Sequence, residues 1–128
     1  MSALAYQQNG YVSATKSTGM PRNIEYQLFS RITGHLNRAS RPDAPMTVLA
    51  AALQENLALW RTLGLDVADT DNELSPQLRA QLFYLFEFTN AHTPKVLRGE
   101  AEVQPLIDIN TSIMRGLRPS STTQKGAV

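Results

Sequence analysis

The sequence predicts an all-α protein, a compact bundle of about four helices. Four stretches carry apolar residues three or four apart, the spacing that lines one side of a helix. No stretch alternates apolar and polar residues with β-branched enrichment, as a half-buried strand does. The chain has 128 residues, 42% of them apolar, and no Cys, so one domain must hold together by burial alone. The predicted helices span 21–40, 44–66, 76–98 and 103–117, in a bundle domain covering 21–117.

The first helix follows Pro21, a residue suited to a helix start because its missing N–H would have no partner there. Ile24, Leu28, Ile32 and Leu36 step by four, Phe29 and Ala39 join their arc, and Gln27, Arg31 and Arg38 fall opposite. The helix is expected to end near Ser40, ahead of Pro42. For the second helix Asp43 is the expected N-cap, with Pro45 tolerated in the first turn. Its core face carries Leu49, Leu53, Leu57, Trp60, Leu63 and Val67, and Gly64 is expected to weaken its end.

The third helix has the clearest start, Ser75 as N-cap and Pro76 at the first helical position. Leu78, Leu82, Leu85, Phe86, Thr89 and Val96 share a face, and Pro94 is expected to kink or break the helix. The fourth begins near Val103 with Pro105 in its first turn and a stripe of Leu106, Ile113, Met114 and Leu117. Residues 1–20, rich in Ser, Thr, Gln, Asn and Gly, read as a loose arm, and 118–128 as a disordered tail.

Composition narrows the function classes. Without Cys there is no thiolate metal site or thiol catalysis, and two His provide no multi-His metal site within one chain. His35 and His92 have no local Ser or carboxylate arranged as a triad, and no phosphate-binding glycine motif occurs, so a non-enzymatic protein without cofactor or metal is expected. The acidic run Asp66, Asp69, Asp71, Glu73 lacks the glycine and the final Glu of a calcium loop and reads as an interhelical connection. No signal peptide or membrane span is apparent, so a cytoplasmic protein is expected.

The formal charge of +1 hides a layout of +4 through Pro42, −6 from Asp43 to Asn110 and +3 beyond. Such a pattern suits either internal pairing or a surface that steers a charged partner. A nucleic-acid reading finds little support, since only the first helix is arginine-rich and its aromatics are Tyr26 and Phe29.

Three features bear on binding. Tyr84 and Phe88 project about 120–160° from Leu82 on the third helix, where an ordinary amphipathic helix is polar. Either this helix is buried on most sides, or these rings, with Ile109, form a patch for a partner's apolar helix. Asn56 and Asn110 lie on apolar stripes: they bond backbone or each other and fix helix register, or they face a groove and bond an incoming chain. Leu4, Tyr6 and Tyr11 of the N-terminal arm are candidates to cover that groove in the free state. Trp60, on its helix's stripe, is expected in the core.

Pro105-Leu106-Ile107-Asp108-Ile109-Asn110, followed by Ile113-Met114 and Gly116-Leu117, resembles the signature of the alphaproteobacterial flagellar biosynthesis regulator family FlaF. Ala5-Tyr6, the set Leu53, Asn56, Leu59-Trp60 and Leu63, and the set Asn72, Leu74, Pro76 and Leu78-Arg79 resemble other family segments in the same order. The chain departs at Leu57 and Thr111, where the family often has basic residues. The resemblance implies a cytoplasmic, non-enzymatic protein of flagellum assembly, linked to flagellin synthesis and secretion. It implies a chaperone or regulator that binds unassembled flagellin and works with FlbT, a repressor of flagellin translation. An adaptor acting only through FlbT, or an RNA-binding regulator of flagellin mRNA, are the alternatives.

Overall fold

The computed structural model describes residues 26–117, which form four helices and no strand. They are α1 (Tyr26–Ala39), α2 (Met46–Ala68), α3 (Pro76–Leu97) and α4 (Gln104–Leu117). The expected start of the first helix at Pro21, the arm with Leu4, Tyr6 and Tyr11, and the tail lie outside the described residues. Short connections make the helices run up and down in turn. α1 packs on α2 and α4, and α2 packs on α3.

One helix start and one internal proline differ from expectation for local reasons. Pro45, not Asp43, occupies the cap of α2: its ψ of 148° is extended, and its carbonyl accepts the first helical bonds from Val48 and Leu49. Asp43 sits instead within the preceding turn, which the Ala44 N–H to Arg41 carbonyl bond closes. Ser75 caps α3 as expected, accepting from the Leu78 N–H at 3.2 Å. Pro94 does not break α3. The carbonyl it deprives belongs to Asn90, whose residue is exposed, and Pro94's own carbonyl accepts from Arg98, so the ladder resumes.

α3 ends in a double closure. The Gly99 N–H bonds the Val96 carbonyl and the Glu100 N–H bonds the Lys95 carbonyl, with Gly99 at φ 75°. That left-handed φ is open to glycine and strained for other residues. Gly99→Ala should cost about 1 kcal/mol in urea unfolding, although its Cβ would meet nothing within 4 Å. An unchanged midpoint would show that the turn relaxes freely.

The acidic connection between α2 and α3 is tied to both helices. Asp69 Oδ1 accepts from the Asp71 N–H, Asn72 Oδ1 accepts from the Leu74 N–H, and Asn72 Nδ2 donates to the Asp66 carbonyl. Arg79 reaches back from α3 and donates to the carbonyls of Val67 and Asp69 at 3.0 and 3.1 Å. A cation thereby satisfies carbonyls left over at the end of α2, where the helix dipole is negative.

The core forms two apolar clusters. One holds Phe29, Ile32, Leu59, Trp60, Leu63, Val67 and Leu82, with the Phe29 and Trp60 rings edge to face at 6.0 Å. The other holds Leu36, Ala39, Ala52, Leu53, Val96, Val103, Leu106 and Ile107. Trp60 is fully buried, as its stripe position predicts. α2 runs on past Gly64 to Ala68. Gly64 is buried where α2 meets α3, and a Cβ there would lie 2.6 Å from Cγ of Phe86.

Candidate functional site

Between the two clusters every helix contributes buried polar residues: Thr33, Asn56, Thr89 with Thr93 one turn on, and Asn110. Asn110 is the hub. Its Oδ1 accepts from Trp60 Nε1 at 2.9 Å, and its Nδ2 donates to Asn56 Oδ1 at 2.8 Å and Thr33 Oγ1 at 3.1 Å. The amide orientation follows from this pattern, because an indole N–H only donates. Thr89 satisfies its hydroxyl on the Leu85 carbonyl. Asn56 Nδ2 is buried and has no partner.

Asn56 and Asn110 are both 0% exposed. They bond each other rather than line a groove, and an incoming chain would have to open the core to meet them. The network joins α1, α2 and α4 through side chains alone, so those helices meet in one register. The two departures from the family pattern are inward too: Leu57 is 7% exposed, and half-buried Thr111 bonds the Ile107 carbonyl.

The three patch candidates lie in different settings. Tyr84 is 65% exposed on the outer face of α3. Phe88 is half-buried against the second cluster and stacks on His92 with ring centroids 4.9 Å apart. Ile109 is half-buried against the first cluster. His92 Nε2 lies 2.7 Å from the Glu102 carbonyl, to which it donates, and this bond ties α3 to the start of α4.

α3 keeps far more apolar surface than a peripheral helix needs. Only Leu82, Thr89, Thr93 and Val96 are fully buried, while Phe83, Leu85, Phe86 and Phe88 remain half-buried around them. Neither extreme reading of the sequence holds by itself, since this helix is buried on one side and apolar on both flanks.

A second surface lies across the molecule. An open hollow of about 350 Å³ between α1 and α2 is lined by Arg38, Thr47, Val48 and Ala51, and by His35 and Glu55, whose side chains meet at 2.6 Å. Arg31, Arg38 and Arg41 are exposed and form no ion pair among the described residues. The same helix offers no exposed aromatic for stacking on a base, because Phe29 is sealed in the core and Tyr26 is half-buried.

Among the described residues no group of three or more acidic or His side chains is arranged to hold a metal. No helix among them is long and apolar enough to cross a membrane. Residues 7–117 match a family model described as Flagellar protein FlaF. No curated protein and no solved structure matches the chain.

Proposed function

Because the chain belongs to the FlaF family of flagellar proteins, we propose that it is a non-enzymatic regulator of flagellum assembly that binds unassembled flagellin and promotes its synthesis or export. The observation that carries this reading is the apolar surplus of α3, with Tyr84 exposed and Phe83, Leu85, Phe86 and Phe88 half-buried. A terminal helix of an unassembled filament subunit presents an apolar stripe that needs cover in the cytoplasm. Laying such a stripe along α3 and the Ile109 side of α4 is helix-in-groove recognition, and it needs no chemistry from either partner.

Tyr84→Asp tests this without disturbing the core, since the side chain is exposed and contributes no bond to the bundle. A desolvated aromatic at the centre of an interface is a hot spot. The variant should fold normally and bind purified unassembled flagellin about tenfold or more weakly by calorimetry. Wild-type affinity in the folded variant would remove α3 from the flagellin site.

The α1–α2 hollow favours a second reading, an adaptor acting through FlbT. Its apolar floor and the exposed Arg38 at its edge suit an acidic amphipathic segment, away from Tyr84 on α3. Under that reading Arg38→Glu, not Tyr84→Asp, impairs function, and FlbT rather than flagellin is recovered in complex. Direct RNA binding would instead show as a gel shift weakening steeply with salt.

A further inference from the structure

α2 carries two features on its outer side that its own bundle does not use. The first is a knob: Leu65 is 74% exposed, more than any other large apolar side chain among the described residues, and belongs to neither core cluster. The second is the open hollow of about 350 Å³ beside the start of the same helix, with Val48, Ala51 and Ala52 as its apolar lining. Ala51, Ala58 and Leu65 are all exposed and lie seven residues apart, nearly two full turns, so they stand in one row along the helix. Leu65 is about 21 Å from Ala51 along that row. The two ends of the row differ in charge. Arg38 lines the hollow, and Arg41 is exposed in the connection leading into α2. Asp69 caps the far end of α2 and Asp71 follows it, both exposed.

We infer that a second copy of this chain occupies this face, with the two α2 helices antiparallel. A two-fold axis at Ala58 sets Ala58 against Ala58, and Leu65 of each copy against Ala51 of the other. Each knob then enters the other copy's hollow, and both hollows are filled by one operation, as an isologous interface requires. The same axis sets Asp69 of each copy against Thr47 of the other, which lines the hollow together with Arg38. A carboxylate therefore meets a guanidinium at both ends of the interface. A parallel pair would set Leu65 against Leu65 and Arg38 against Arg38, filling neither hollow and bringing like charges together. Only methyl groups meet at the axis, so the helices approach to about 8 Å. One helix face and one groove make a smaller contact than a standard interface, which places the dimer in the weak, reversible class with a micromolar Kd. The interface takes no residue from α3, so Tyr84 is left for flagellin. An acidic segment seated in the hollow, as the adaptor reading requires, would compete with it.

Sedimentation equilibrium of the full chain should give twice the chain mass at roughly 0.5 mM and fall toward one chain mass on dilution. Leu65→Glu should stay monomeric at every concentration with an unchanged circular dichroism spectrum. Arg38→Glu and Asp69→Lys should each weaken association about tenfold, since each places like charges together at both ends. An equimolar mixture of the two should recover it, because both ends of the mixed pair are complementary. The chain has no Cys, so single cysteines read the register. Ala58→Cys should form a disulfide with itself under mild oxidation, whereas the equally exposed Ala51→Cys, about 21 Å from its own copy, should not. A chain that stays monomeric at roughly 0.5 mM, a Leu65→Glu variant that still dimerises, a mixture that recovers nothing, or equal cross-linking at both cysteines overturns the inference.

Discussion

Asn110→Leu should lower unfolding stability by about 4 kcal/mol, far more than the loss of one typical hydrogen bond. Leucine matches the amide in size, so the effect is not mainly a cavity. It strands the Trp60 Nε1–H and breaks bonds to Asn56 and Thr33, all within a sealed core. Each stranded buried group costs about 1–3 kcal/mol. Asn56→Leu should cost less, about 1–2 kcal/mol, because it removes one bond together with the donor Nδ2 that has no partner. The double variant should fall short of the sum, since the bond the two amides share is lost only once. Urea unfolding followed by the single Trp, itself part of the network, measures all three. If Asn56→Leu costs as much as Asn110→Leu, the hub assignment is wrong.

Gly64→Ala is the second large effect, and its sign opposes helix propensity. Alanine in a helix interior is favoured over glycine by about 1 kcal/mol. At this position the new Cβ would meet Phe86 at Cγ and Cδ2, 2.6 and 2.7 Å away. Those atoms lie at the root of the ring, which cannot move aside without leaving its contact with Phe83. Overpacking costs up to about 3 kcal/mol, so a net loss of about 2 kcal/mol is expected. Phe86→Leu should cost less in the Gly64→Ala background than in the wild type, a coupling that a double-mutant cycle reads directly. A neutral or stabilising Gly64→Ala would mean that α2 and α3 part easily.

Much of the bundle is legible in the sequence because local signals agree with the fold. Ser75-Pro76 marks a helix start, and the stripe through Leu53, Trp60 and Leu63 marks a buried face that the structure seals completely. The amide pair is legible for the same reason, as polar residues at stripe positions must find partners. That they find each other, and that Trp60 joins them, depends on three helices meeting at one level. Gly64 reads as a weak point because propensity was weighed without the ring from α3 that fills its place. Arg79 as the closing cation of α2 gives no local signal, since its partners are carbonyls in another helix and loop. The binding surface is the least legible part. Tyr84 is exposed as its angle from Leu82 requires, but the half-burial of Phe88 and Ile109 is decided by the clusters that other helices bring against them.

The two halves of the core differ in bulk. On one side of the polar layer stand Trp60 and Phe29, with Phe83 and Phe86 against them. On the other side Ala39, Ala52, Val96 and Val103 stand among Leu36, Leu53, Leu106 and Ile107, with no fully buried ring. The end of the molecule where α1 and α3 begin is therefore filled by rings, and the end where α3 turns into α4 mainly by aliphatic side chains. Truncating a side chain at the ring-filled end opens the larger cavity, so that end is where the fold tolerates least change.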